Sequence, residues 1–397
     1  MNSARRAVIV GGGPAGTVAA LVLARRGVRA IVLEGRLGPS TKAGECLPPS
    51  VTLLLARLGL EQLLTQDGHL RSRGHRFVWG SPRPGERPFF AGVRGDGWHV
   101  DRRLFEARLA ERAQAAGVDF RWGTRLDRCI REGERFHLEL TDPGGARITE
   151  TTDFVADATG RAASVARRLG VQRVRYDRLV GVAARLESPT PTTDTYTLVE
   201  ATPDGWWYSA LLADGALAVA FMTDADLMDR GLAHGEADAA REAFLRALRE
   251  APETRERIEG HGYRLATPPQ PQRAETSRLT SVTGAGWLAV GDAAAAYDPL
   301  SSHGIGSAMG SGYYAGHAIA DHLAHRPDAL PTYVAVLQNA YGAYLDLQRQ
   351  HYRTEHRFPG APFWERRRMP LYCLDPIEAR SSVTSTTLPP TLDPCLP

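Results

Sequence analysis

A short β-branched run, Ala7-Val8-Ile9-Val10, ends on Gly11-Gly12-Gly13-Pro14-Ala15-Gly16. A stretch with helical spacing follows from Thr17 to Arg26, Gly27 stops it, and Val28 to Leu33 is a second apolar run that ends at Glu34. Strand, G-x-G-x-x-G, helix, strand and acid in this order make a whole dinucleotide-binding unit, whose home is a parallel, doubly wound sheet. Each part has a physical job. Gly11 permits the tight turn, Gly13 lets the backbone approach a pyrophosphate, and Gly16 lets helix and strand pack closely. The helix opens at Pro14, which lacks an N–H, and the free N–H groups from Ala15 onward together with the helix dipole favour phosphate. Glu34 stands where a carboxylate accepts from ribose hydroxyls. A bare G-x-G-x-x-G is a weak signal; the flanking elements make this one strong.

Two later segments repeat the strand-into-glycine-turn pattern. Thr152 to Arg161 contains Asp157-Ala158-Thr159-Gly160-Arg161, and Gly286 to Ala294 contains Gly291-Asp292-Ala293-Ala294. Asp298-Pro299-Leu300-Ser301-Ser302-His303-Gly304-Ile305-Gly306 follows, and helical spacing runs from about Ser307 to about Leu323. Either segment alone reads as an ordinary glycine turn; all three in this order point to three strand ends facing one cofactor.

The order Gly-x-Gly-x-x-Gly, Asp-Ala-Thr-Gly-Arg, Gly-Asp-Ala-Ala resembles the flavoprotein monooxygenase superfamily of aromatic hydroxylases, flavin-dependent halogenases and geranylgeranyl reductases. The resemblance spans about residues 1–325. It implies FAD as cofactor, with Asp157 and Gly291 among its contacts, Asp292 at its ribityl or phosphate-side hydroxyls, the loop 298–306 with Pro299, Gly304 and Ile305 against the flavin, and the next helix N-terminus aimed at the flavin edge where negative charge develops. In such proteins an Arg opening a helix contacts FAD, and Arg102 is the matching position. Gly44-Glu45-Cys46-Leu47-Pro48-Pro49-Ser50 is similar to the Gly-Glu-x-x-x-Pro loop of the halogenase and reductase branch, which lies beside the flavin. Glu45 there is a candidate for proton handling, against a plain capping acid in a Pro-rich loop.

Departures narrow the branch. Tryptophan halogenases carry a lysine that relays hypohalous acid; Ser72 stands at that position, Ser301 stands where they carry a glutamate, and the W-x-W-x-I-P signature is missing. Geranylgeranyl reductases end an aromatic motif in Phe-Pro-Lys, whereas this chain has Asp204-Gly205-Trp206-Trp207-Tyr208-Ser209-Ala210. Phe363-Trp364-Glu365-Arg366-Arg367 is similar to the C-terminal signature of halogenase-like flavoproteins that mature quinone cofactors by oxygenating a partner's tryptophan. A packed C-terminal helix is the plainer reading of that stretch.

Between Val180 and about Ala266 four runs (181–186, 196–200, 206–212 and 216–223) alternate like antiparallel strands, joined once by the hairpin signal Asp214-Gly215. Arg71–Gly80 and Phe89–Trp98 add two more, and a helix pair, about 225–231 and 236–250, interrupts the sheet. Trp206 and Tyr208 share one strand face, where they line a substrate cavity or the core. His303, in the loop beside the expected flavin, is a second candidate base, against a neutral, backbone-bonded histidine.

The charge sum of +3 and the absence of a basic stripe speak against a nucleic-acid partner. Arg366-Arg367-Arg368, the strongest basic cluster, reads as a solvated turn or helix end. Cys46, Cys129, Cys373 and Cys395 have no metal spacing and read as free thiols, so no metal is expected. No apolar run approaches the about 18 residues of a membrane span, and no secretory signal is visible, so a cytoplasmic protein is expected.

The expected fold is α/β: a Rossmann-like FAD-binding domain (1–70, 99–180 and 275–330), an antiparallel β-sheet substrate domain (71–98 and 181–274), and a C-terminal helical segment and tail (331–397). The expected function is an FAD-dependent monooxygenase acting through a flavin C4a-hydroperoxide on an indole or phenol, either a small aromatic molecule or a peptidyl tryptophan. Electrons would come from NAD(P)H or from flavin reduced by a separate reductase. The alternatives are a reductase of polyprenyl or lipid alkenes and, with less support, a halogenase.

Overall fold

A computed structural model describes residues 5–65, 68–89, 95–302 and 304–369. The apolar run at the start becomes the strand Arg6–Val10, and the run ending at Glu34 becomes Arg29–Glu34 beside it, parallel. Phe154–Asp157 flanks the first strand on its other side, and Trp287–Ala289 lies beyond, both parallel. Asp119–Trp122 extends the second edge in parallel, and Thr283–Gly284 closes the first edge antiparallel, giving a six-stranded sheet. The register sets Val10 opposite Asp157 and Asp157 opposite Ala289, so the three glycine turns emerge side by side at the carboxyl ends of adjacent strands. Ligands of open α/β sheets bind at such an edge.

The helix Pro14–Arg25 packs on Gly304–Leu323, and its small residues permit a close approach. A Cβ on Gly312 would sit 2.3 Å from the Ala15 carbonyl oxygen, and one on Gly16 only 2.1 Å from that of Gly11. Helix Gly304–Leu323 starts three residues before the expected Ser307, which carries its N-terminus to the strand ends.

An eight-stranded sheet forms the second layer. Its core is Leu179–Glu187, Leu217–Asp224, Gly205–Leu211 and Thr197–Thr202, antiparallel in that order, followed by Gly74–Val78 and Gly85–Pro88. The single expected strand 71–80 is two strands. Leu70–Ser72 joins Gly97–His99 and Cys46–Leu47 in a small separate sheet, and only Gly74–Val78 reaches the large one. Of the expected strand 89–98, residues 90–94 lie outside the described residues. The first expected helix of the pair starts later, at Arg230, because the Asp229 side chain accepts from Gly231 N and fixes the cap there. A third helix, Pro252–Glu259, is additional. So is the antiparallel meander of Arg125–Glu132, Arg135–Thr141 and Arg147–Thr152.

The C-terminal helix Ala329–Thr354 turns Tyr333, Tyr341, Tyr344, Gln348 and Tyr352 inward. Pro362–Arg368 then packs Phe363 and Trp364 against the large sheet, where both are fully buried. Arg366, Arg367 and Arg368 form the expected helix end with Arg366 exposed, but all three are ion-paired. Arg367 donates to both carboxylate oxygens of buried Asp224, Arg366 bridges Asp224 and Asp226, and Arg368 pairs with Glu365.

Candidate functional site

One cavity of about 1190 Å³ runs from the three glycine turns to the underside of the large sheet. It exceeds the usual range of about 300–1,000 Å³ for small-molecule sites, enough for a cofactor and a second ligand together. Gly11, Gly13, Pro14, Ala15, Glu34, Gly44, Glu45, Arg102, Asp292, Pro299, Gly304, Ile305 and Tyr208 all line it.

At its first end the helix starting at Pro14 has no side-chain cap on its N-terminal N–H groups. Gly11, with φ +113°, turns the chain beneath Ala158, where any Cβ would be 2.2 Å from the carbonyl oxygen. A Cβ on Gly13, by contrast, would meet nothing within 4 Å, so the glycine faces open cavity. Glu34 accepts from Gly12 N at 2.9 Å and Arg36 N at 3.0 Å, which fixes its carboxylate at the cavity wall with lone pairs to spare.

Arg102 opens the helix Arg102–Ala115 behind the Asp101 cap. Its Nη1 donates to the Ala43 and Gly44 carbonyls at 3.1 and 2.9 Å, and its Nη2 to Glu106 at 2.6 Å. Its Nε is buried without a hydrogen-bond partner among the described residues. Lys42, the only lysine in the chain, is ion-paired to the same Glu106.

Glu45 enters the cavity at the start of the strand Cys46–Leu47, which pairs with Gly97–His99; the Glu45 carbonyl accepts from Val100 N at 2.9 Å. Burial raises the Glu45 pKa above its usual value, with nearby Arg102 opposing the shift. The Tyr208 hydroxyl donates to Glu45 Oε2 at 3.5 Å. Burial, reinforced by the Glu45 charge, pushes the phenol well up, so Tyr208 stays a donor. Beside Tyr208 on the same sheet, Gly181, Ala183, Ala218, Ala220 and Met222 line an apolar slot, edged by Gln270 and Gln272 of the neighbouring strand.

Four expected residues sit elsewhere. Trp206 shares the face of Tyr208 but is fully buried and lines no part of the cavity: its Nε1 donates to Tyr352 at 3.1 Å and its ring meets Trp79 edge-on. The Asp157 carboxylate is consumed internally, accepting from Thr159 N and Oγ1 and from Val165 N and Ala166 N. It caps the helix Ser164–Arg168 instead of facing a ligand. Gly16 and Gly291 act through packing, since a Cβ on Gly291 would approach that of Ala15 to 2.7 Å. His303 lies outside the described residues.

Arg161, the last residue of Asp-Ala-Thr-Gly-Arg, is a site residue the sequence reading passed over. It lines the cavity, donates to the Tyr297 carbonyl at 2.9 Å and to that of Glu275, and lies 3.6 Å from Asp292. Its signal was the motif itself. Ser72 is fully buried with its hydroxyl toward the Gly74 carbonyl, and Ser301 donates to the Asp298 carbonyl at 2.8 Å.

An uncapped helix N-terminus over an open glycine, a glutamate fixed at the cavity wall, an arginine with a spare buried N–H, and a second helix N-terminus at Gly304 together fit FAD. This defines an FAD-dependent flavoprotein. The chain belongs to the FAD binding domain family, whose pattern matches residues 5–340. It is 29% identical over 370 residues to LodB of Marinomonas mediterranea, which carries the name FAD-dependent oxidoreductase, covering 91% of this chain and 96% of that one. It is 28% identical over 344 residues to a tryptophan 2-halogenase of Chondromyces crocatus, covering 83% of this chain and 63% of that protein's length. Among solved structures it is similar to the flavin-dependent halogenase CmlS (TM-score 0.83, 25% identity, 93% of this chain and 68% of that chain). It is also similar to QhpG, a peptidyl tryptophan dihydroxylase essential for tryptophylquinone cofactor biogenesis (TM-score 0.74, 25% identity, 92% of this chain and 79% of that chain). The protein is an FAD-dependent oxidoreductase of the halogenase-like branch. No helix among the described residues is long and apolar enough to cross a membrane.

Proposed function

We propose that the protein is an FAD-dependent monooxygenase that hydroxylates an electron-rich aromatic ring, an indole or phenol, with a tryptophan of a peptide or protein as the favoured form. The observation that carries this reading is the pairing of buried Glu45 with half-buried Tyr208, both lining the cavity beside the apolar slot. FAD, when bound and reduced, would supply the two electrons that activate dioxygen, one oxygen atom going to the ring and the other to water. The residues do the rest. Gly13, Glu34 and Arg102 bind the cofactor; Ala183, Ala218, Ala220 and Met222 hold the flat ring and exclude water. Glu45, raised by burial, takes the ring or hydroxyl proton, and Tyr208 orients its carboxylate.

Halogenation has weaker support, because the relay ammonium has no counterpart at Ser72 and Lys42 is engaged by Glu106. QhpG, named as a peptidyl tryptophan dihydroxylase, supports the peptide form of the substrate. Electrons come from NAD(P)H or a separate flavin reductase. The test is mass spectrometry of a tryptophan-containing peptide, and of free indole, incubated with the holoenzyme, a reductant and isotopically labelled dioxygen. Label in the ring supports the reading. Ring halogenation in the presence of halide, or an unlabelled reduced product from an alkene substrate, sinks it.

A further inference from the structure

The helix Ala329–Thr354 continues well past residue 340, where the family pattern ends. Three side chains in this extension, Tyr344, Gln348 and Tyr352, are four residues apart, so they stack on one helix face. All three converge on Asp298. The Tyr352 hydroxyl donates to Asp298 Oδ2 at 2.7 Å, Gln348 Nε2 donates to the same oxygen at 3.1 Å, and Tyr344 accepts from Asp298 N at 2.7 Å. Asp298 in turn caps the turn Pro299–Ser301, accepting from Leu300 N at 2.9 Å. That turn leads through Ser302, φ +50°, toward the helix that begins at Gly304. Asp298, Pro299, Ser302 and Gly304 all line the cavity.

The outer side of Tyr352 is held as firmly. Trp206 donates to its hydroxyl at 3.1 Å, and the guanidinium of Arg367 lies 5.0 Å over its ring, itself fixed to Asp224. Gln348 and Tyr344 also meet Thr276 Oγ1 at 3.0 and 3.2 Å. The segment Ala274–Ser277 is thereby tied to the same ladder.

We infer that Tyr352, Gln348 and Tyr344 are positioning residues: the C-terminal helix is a brace that fixes the Asp298–Ser302 loop against the cofactor and thereby sets how tightly, and in what environment, the flavin is held. The inference rests on the flavoprotein reading above for its ligand, but the brace itself is a property of the chain alone. A neutral packing helix would make apolar contacts; this one spends three polar groups on a single loop residue inside the protein, where each has to be satisfied.

The test compares the full-length wild type with Tyr352→Phe, Gln348→Leu and a same-helix control, Tyr333→Phe. Tyr333 donates at 2.7 Å to Ala289 in the parallel sheet, so its loss costs one buried hydrogen bond of similar kind away from the loop. The readouts are the FAD dissociation constant, the visible circular dichroism of the bound flavin, and amide hydrogen exchange of residues 298–302 with and without FAD. Tyr352→Phe should raise the dissociation constant roughly tenfold, change the flavin dichroism and speed exchange in the loop, with Gln348→Leu acting in the same direction. Tyr333→Phe should leave all three as in wild type. Unchanged readouts in both Tyr352→Phe and Gln348→Leu, or equal effects from Tyr333→Phe, overturn the brace. Failure of the wild type to bind FAD would overturn the flavoprotein reading instead, and loop exchange in the FAD-free chain would still decide the brace.

Discussion

Tyr208 and Glu45 lie 163 residues apart in the chain, one on the large sheet, which is antiparallel but for the parallel pair of Thr197–Thr202 with Gly74–Val78, and the other just before the short strand Cys46–Leu47, and the Tyr208 hydroxyl reaches Glu45 Oε2 at 3.5 Å. The contact joins the two layers at the middle of the cavity. It gives the carboxylate a fixed direction and a donor that does not itself ionise at neutral pH.

Glu45→Gln should therefore remove turnover while keeping the cofactor. A general base contributes about 10²–10⁴-fold, so kcat should fall within that range with FAD still bound. Steady-state turnover and the flavin absorbance of the same sample check this.

The pH profile follows from the direction of the Glu45 shift. A carboxylate base works only after losing its proton, and burial raises its pKa above the usual 4.5. Activity should therefore rise with pH, with its acid limb displaced above the ordinary carboxylate range. The same shift has a stability consequence of opposite sense: the folded state holds this proton more tightly than the unfolded chain, so ionisation of Glu45 costs stability as pH rises. Glu45→Gln should abolish the acid limb and flatten that part of the stability profile, read by kcat and melting temperature across pH.

Two glycines of the first turn should separate cofactor binding from folding. Gly13 has an ordinary φ of −72° and open space beyond it, so Gly13→Val should fold normally yet lose FAD. Gly16→Ala places a methyl 2.1 Å from a backbone oxygen and should cost more than the about 1–3 kcal/mol of ordinary overpacking. Melting curves paired with FAD titration distinguish the two.

Much of this was legible in the sequence for a physical reason. The nucleotide-binding turn is built from local backbone requirements, so strand, Gly11, Gly13, helix and Glu34 are all written within one short segment. The alternation of Trp206, Trp207 and Tyr208 was also local, and it placed Trp206 and Tyr208 on one face. Where that face led was not local. Trp206 meets Tyr352 and Trp79, partners distant in sequence that no alternation pattern reveals. Asp157 misled for the opposite reason: its neighbours announce a glycine turn, but its carboxylate is taken by the helix that begins seven residues later, at Ser164. The break of the expected strand 71–80 into two sheets depended on which partners, Gly97–His99 or Thr197–Thr202, stood nearby.

The arginine cluster gives a prediction about stability alone. The Arg367–Asp224 pair is almost wholly buried, with 8% and 2% of the two side chains exposed. Removing one partner of such a pair costs about 3–5 kcal/mol, because the other charge stays buried. Arg367→Ala should lower the unfolding free energy by up to that amount, read by denaturant titration, since Arg366 still pairs with Asp224 at 2.9 Å. Arg368→Ala, which breaks a pair exposed at Glu365, should cost no more than about 1 kcal/mol.

The central claim is that the cavity lets reduced FAD react productively with dioxygen. The most direct measurement is rapid mixing of the anaerobically reduced holoprotein with dioxygen, following flavin absorbance, with and without a tryptophan-containing peptide. Reoxidation is expected in at least two phases, through a species spectrally distinct from both reduced and oxidised flavin. Single-phase return to oxidised flavin under both conditions would contradict it.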